Sequence, residues 1–455
     1  MITTPQHSTT RSIAQGTVIF TLLGILTKFA SFFIAIIVLR SLSIHEYGLS
    51  ELSMTVYSFL GILLLPGISS VIIADMSFCK GQGNMSRAKE IFKRYITLQT
   101  MLCIVGFILL FSFSFFAKYF VTSNVSNSLR ILSFSFLISP IRMAFTIFFS
   151  VEKKFFFQAL IGFCEEFFRL VVVLCVFSFS TFHLESIFWA NILGQATALI
   201  FLCPLFFMSY RAWRRVQATN TGCVLESIMA HGKWAVLSTY FNTLGQNIRL
   251  WIIKTMLGTP AVSIFSLAST LLAHSQSLFT LSSVLTPVIS EKISNHKVVN
   301  IIIAKSIKYQ MFVFVCIGLG VFLFMPYVIH FAFPKYTTAI SSYNVLLITM
   351  LLAPFAVVFT PMFQAAKQQK SLFYTVFVKN ISIVLFSFIF LPLFGVIGAS
   401  IEYLVTLSLY LFVRYFVLKK IYPGFCISWR SFFEYDDVDK IVVSKARNKF
   451  FSWIS

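Results

Sequence analysis

The chain has 455 residues, of which 58% are hydrophobic and only 11% charged, with a formal net charge of +21 and a mean hydropathy of +0.87. Soluble domains average about 25% charged residues, so this composition excludes a soluble globular protein and describes an all-α polytopic membrane protein. The eight cysteines show no CxxC spacing and no accompanying histidine cluster, which reads as buried thiols and excludes both a disulfide framework and a metal site.

The start, MITTPQHSTTRSIAQ, is polar. The first apolar run, 14–39, is too long for the core of a signal peptide and has no small-residue cleavage site, so it is expected to be an uncleaved anchor. Eleven further runs follow at 48–74, 95–117, 129–150, 156–179, 186–209, 234–257, 262–289, 308–333, 341–364, 372–393 and 395–418. That makes about twelve transmembrane helices. The longest link, 210–233, divides them six and six. The expected parts are an N-terminal lobe (1–209), a cytoplasmic inter-lobe linker (210–233), a C-terminal lobe (234–418) and a basic tail (419–455). In the tail, VDKIVVSKARNKFFSWI (438–454) has the spacing of an amphipathic helix on the inner leaflet, with a disordered tail as the alternative.

With the N-terminus placed inside, 25 Lys and Arg residues fall in inner segments. Only four, Arg40, Lys118, Arg130 and Lys335, fall in outer links. Such a bias in short loops orients both termini to the cytoplasm. It accounts for the net charge without nucleic acid, for which no motif is present. The outer links are too short to hold a catalytic domain. The absence of Walker, HExxH and GxSxG motifs argues against an enzyme, and no cofactor is expected. Gly81-Gln82-Gly83 is a lone glycine pair and reads as a loop.

Charges inside the spans are where chemistry is expected. Lys28 lies about fourteen residues from either end of its run, where a lysine costs roughly 2.5–3.5 kcal/mol on insertion scales, so it should face water or a carboxylate. Glu165 and Glu166 precede Arg169 by four and three residues, both spacings that permit a local pair. The acid left over needs another partner or a proton, which makes it a candidate for ion coupling. Asn242, Gln246 and Arg249 follow i, i+4, i+7 spacing and read as one wet face. Arg142 follows Pro140, and Lys379 lies about seven residues into its span. His274 reads as a packing residue, with a proton relay as the lesser reading. Arg414 and Glu402, near the span ends, read as interfacial. The deep set Lys28, Arg142, Arg169, Arg249 and Lys379 outnumbers Glu165 and Glu166 by three. If these groups share a lumen, it attracts anions.

Three segments carry a family resemblance. VLRSLSIHEYGLSELS (38–53) is similar to the first outer link of polysaccharide-lipid flippases, RLWIIKTMLGTPAVSIFSLAS (249–269) to the start of their second half, and LPLFGVIGASIEYLVTLSLYLF (391–412) to their last hairpin. The chain thus resembles the O-antigen and capsule repeat-unit flippases, the polysaccharide transporter branch of the multidrug, oligosaccharidyl-lipid and polysaccharide exporter superfamily. The resemblance implies two six-helix lobes around a central cationic cavity. It implies alternating access that carries undecaprenyl-pyrophosphate-linked glycan to the outer leaflet of the bacterial inner membrane. It also implies dealings with membrane lipids, a polysaccharide polymerase and a chain-length regulator. Basic residues in the first and seventh spans are common in such flippases, matching Lys28 and Arg249. Many relatives carry an acid where this chain has Asn247, Ile248 and Arg249, so the coupling ion stays open. The alternative function is a multidrug cation antiporter of the same superfamily, which would want an acidic lumen. A glycan polymerase would need a large outer loop, and a structural scaffold would not need the buried charges.

Overall fold

A computed structural model describes residues 6–64, 68–120, 123–179, 182–216, 232–277, 289, 296–366 and 368–422. Among them the chain forms thirteen α-helices and no strand. These are α1 (Gln6–Ser41), α2 (Ile44–Phe59), α3 (Ile68–Gly81), α4 (Met85–Phe120), α5 (Ser123–Val151), α6 (Phe155–Phe179), α7 (Leu184–Arg214), α8 (Lys233–Leu257), α9 (Thr259–Ser277), α10 (His296–Ala332), α11 (Ala339–Leu347), α12 (Ala353–Ala365) and α13 (Gln369–Ile421). The tail helix expected at 438–454 and most of the 210–233 linker lie outside the described residues.

Each expected span falls on helix as far as it is described, but three are not simple rods. The second gives way after Phe59 to tighter 3-10 turns over Leu60–Leu64, and α3 starts afresh at Ile68. The tenth is split into α11 and α12, which are bent by 50°. Pro354, early in α12, removes a backbone donor that a continuous helix would need. The eleventh and twelfth spans form the single long α13, turned at Gly395.

Among the described residues seven helices are long and apolar enough to cross a bilayer, or eight if the α11–α12 pair counts as one span. Helix α6 holds three charges in its middle, α8 is polar from Asn242 to Arg249, α9 is described only as far as Ser277, and α13 comprises two helices that meet at the Gly395 kink, as the eleventh and twelfth spans were expected to. The exterior suits lipid: α10 leaves Phe312, Leu319, Leu323 and Phe324 exposed. The same environment corrects the expectation of buried thiols. Cys79, Cys103 and Cys164 are buried, but Cys175 and Cys316 are exposed on apolar helix faces, which hydrocarbon tolerates as readily as a protein core does.

Links assigned to one side by charge lie together. Lys80 pairs with Glu152 at 2.6 Å, Trp213 donates to the same carboxylate at 2.8 Å, and Lys89 caps the end of α7 through the Val216 carbonyl. At the other end Asn127 donates to Glu185 across the starts of α5 and α7. Buried apolar residues of α3–α7 form one cluster. Another joins α8–α11 and also takes in Leu39 of α1 and Leu52 of α2. Helix α1 has a second buried stripe, Ile34, Val38 and Leu42, packed on Val173, Ile187 and Ala190. The α1–α2 hairpin therefore joins the first six spans to the last six.

Gly395 sits at φ 58°, ψ −135°, a combination only glycine adopts without strain. The reversal it makes brings Gly398 so near the preceding helix that a Cβ there would lie 2.1 Å from the Phe390 carbonyl oxygen. Gly395→Ala should cost about 1–3 kcal/mol, and Gly398→Val more, because its obstacle is backbone. Thermal unfolding of the detergent-solubilised variants, in the order wild type, Gly395→Ala, Gly398→Val, checks this.

Candidate functional site

The charges expected to line one lumen separate into two groups. In the second half, α8 carries Arg249 against α13. Its Nε donates to Glu402 Oε2 at 2.6 Å, and Nη2 to Glu402 Oε1 at 3.3 Å. Arg249 is 5% exposed and Glu402 0%, so water reaches neither. Thr406 Oγ1 donates to Glu402 Oε1 at 2.7 Å, and the guanidinium lies over the Tyr403 ring, 4.7 Å from its centroid. This corrects two expectations. Arg249 is not a lumen cation, because its charge is cancelled inside the protein. Glu402 is not interfacial, because the face of α13 that carries it packs on α8.

Lys379 donates to Asn242 Oδ1 and lies over the Tyr410 ring, 5.4 Å from its centroid. Arg414 packs on the same ring at 4.2 Å and donates to Thr360 Oγ1 at 2.9 Å. At 4% exposure Arg414 is buried, not interfacial. The single wet face on α8 also dissolves. Asn242 turns to Lys379, Gln246 is exposed, and Arg249 is buried.

In the first half the two acids of α6 divide between neighbours. Glu165 is the acid left over from Arg169, and it accepts from Arg142 Nε of α5 at 2.6 Å. Glu166 takes Arg169, at 3.6 Å. Glu166 Oε2 and Arg169 Nε are buried without a hydrogen-bond partner among the described residues. Beyond this pair lies a third group: His274 of α9 feels the charges of both Lys28 and Glu166.

Lys28 itself is exposed. It lies one turn from Phe32, whose ring packs edge-on against Phe333 of the second half, with 6.2 Å between centroids. Residues four apart share a helix face, and Lys28 lies within electrostatic reach of His274 on α9. Arg142 is the other deep cation at the surface, its side chain 48% exposed while Glu165 stays buried. The structure thus brings Arg142 and Arg169 to the two acids of α6 and gathers Arg249, Lys379 and Arg414 between α8, α12 and α13.

One half-buried acid was overlooked in the sequence. Glu51 of α2 lies against Tyr47 and Ser266, and its position inside an apolar span was the signal. In the span interiors Lys28, Arg142, Arg169, Arg249, Lys254, Lys379 and Arg414 outnumber Glu51, Glu165, Glu166 and Glu402 by three. The surplus surfaces at Lys28.

Comparison with known proteins bears on these observations. The sequence profile of a family described as polysaccharide biosynthesis protein matches residues 37–342. No protein of curated function matches the sequence. Among solved structures, the chain is similar to an inward-facing conformation of a multidrug resistance MATE family transporter of the MOP superfamily, with 15% identity, 89% of this chain and 95% of that one covered, and a TM-score of 0.75. An outward-facing conformation of such a transporter gives 13% identity, coverages of 90% and 96%, and a TM-score of 0.65. A MOP superfamily transporter from Pyrococcus furiosus, whose binding pocket is described as of reverse polarity and suggestive of a different function, gives 13%, 91%, 96% and 0.67.

Proposed function

The chain belongs to the polysaccharide biosynthesis protein family and has the fold of the MATE and MOP transporters, and on that premise we propose that it flips undecaprenyl-pyrophosphate-linked oligosaccharide repeat units across the bacterial inner membrane. The product would feed O-antigen or another surface polysaccharide. Both termini lie in the cytoplasm, as the charge bias of the links directs.

One observation carries the reading. The interior has a surplus of positive charge, and the deep cations that reach a surface are Lys28, one turn from Phe32 on α1, and Arg142. An ammonium and a guanidinium at that depth suit a pyrophosphate, which accepts several charge-assisted hydrogen bonds at once. The prenyl chain stays in lipid against the apolar outer faces, and the sugars pass between the halves. An anion leaving a negative cytoplasm moves down the potential, worth about 2.3 kcal/mol per charge per 100 mV. Of the two acids put forward for ion coupling, Glu165 is engaged by Arg142. Glu166, with one oxygen unpartnered, is the better placed to take and release a cation.

Deletion of the gene should strand prenyl-linked repeat units in the inner leaflet and deplete surface polysaccharide, and restoring the chain should clear them. A lipid-linked pool that stays unchanged in the deletion would refute the proposal.

The second reading, a multidrug cation antiporter, draws on the MATE neighbours. It predicts resistance to cationic dyes on expression, and the sign of the interior charge argues against it.

A further inference from the structure

We propose that Arg40 and Lys335 form a reciprocal latch that holds the two halves closed at one end, and that its breakage is the step that opens that end. The proposal rests on the alternating-access reading above.

The last carbonyls of a helix have no intrahelical donor and sit at the negative end of its dipole. A helix usually satisfies them from its own following residues or from water. Here each of two helices borrows a cation from the other half. Arg40, near the end of α1, donates through Nε to the Ala332 carbonyl at 3.0 Å and through Nη2 to the Phe331 carbonyl at 2.6 Å, which are the last carbonyls of α10. Lys335, just beyond α10, donates through Nζ to the Arg40 carbonyl at 2.8 Å and to the Leu42 carbonyl at 3.1 Å, at the end of α1. Residues almost 300 apart in sequence thus cap each other's helices, and each side depends on the other remaining closed.

The surroundings show two surfaces brought together at this place. Tyr47 meets Tyr336 edge-on, with 6.2 Å between centroids. Gly48 lies so close to α9 that a Cβ would fall 2.5 Å from the Thr259 carbonyl oxygen. Arg40 and Lys335 are nevertheless exposed, so water can replace the four hydrogen bonds as they open. That separates them from the buried Arg249–Glu402 pair, whose parting would strand two charges. An accessible set of charge-assisted bonds fits an element that must open and close.

Spin labels at His45 and Thr338, both exposed and on opposite sides of the junction, report the state directly in the reconstituted full chain with its native cysteines replaced. The parent should give one short distance. Arg40→Gln and Lys335→Gln, which keep a long polar side chain, should each raise a longer-distance population by about tenfold, and the double variant by more. Arg40→Lys should shift the population less than Arg40→Gln, because a cation remains to face the carbonyls. A distance distribution in the double variant identical to the parent's overturns the latch, whatever happens to export. Longer distances in the variants support it, even if deletion of the gene strands no lipid-linked glycan, a result that would overturn the flippase reading alone.

Discussion

Glu402→Ala is expected to destabilise the protein by about 3–5 kcal/mol, and Arg249→Ala by a similar amount. Both groups lie out of reach of water. Removing either leaves the other charged in a region that cannot solvate it, and the desolvation cost falls on the survivor. Losing Glu402 also leaves Thr406 without its acceptor and Arg249 with only the Tyr403 ring. The double variant Arg249→Met, Glu402→Leu should lie within about 1 kcal/mol of wild type, because two apolar side chains of similar volume ask for no partners. Unfolding of purified protein in mixed micelles measures all three. Single variants as stable as the double would mean that the surviving charge finds another partner. Lys379 and Arg414 are the nearby cations that would then have to compensate a lone Glu402.

If the double variant folds and still supports polysaccharide export, the pair is structural. If it folds and export fails, the pair is also needed during the transport cycle. Either result separates this buried pair from the exposed cations, which the same charge census had grouped with it.

The fold was legible because every expected span is a long apolar run, and such a run has few alternatives to a helix in a bilayer. The breaks were not. A 3-10 turn at Leu60–Leu64 or Ile348–Leu351 is as apolar as the helix around it and leaves no trace in hydropathy. Lys28 could be found because one charge in the middle of an apolar run has no local excuse. Glu402 was misplaced because depth was measured from the ends of a run, whereas its depth comes from the packing of α13 on α8. Its partner lies 153 residues earlier, a distance no local spacing reveals. Spacing alone did not say which acid of α6 would be left over. The spacing to Arg169 permitted a pair on α6, but α5 brings Arg142 closer. Arg40 and Lys335 were visible as outer-link cations and nothing more, since a cation that caps a foreign helix has no signature of its own.

Lys28→Ala is expected to lower export of lipid-linked glycan by about 10–100-fold while leaving the amount of folded protein near wild type. Lys28 is exposed, and truncation at exposed positions usually changes stability by no more than about 0.5 kcal/mol. The contrast is Arg142→Ala, which strips Glu165 of its partner and should lose folded protein as well as export. Lys28 is therefore the cleaner probe of the cationic surface. Lys28→Arg should retain most export, because the charge and the donors remain. Lys28→Glu should abolish it, since the new carboxylate would repel a pyrophosphate. The antiporter reading predicts the reverse order: an added acid would leave cation extrusion unchanged or raise it, and Lys28→Ala would do little harm. Stranded prenyl-linked units, surface polysaccharide and cationic-dye efflux, measured in one strain set at matched protein levels, decide between them. Full export by Lys28→Glu would remove the cationic surface from the mechanism and with it the reason for preferring an anionic lipid head.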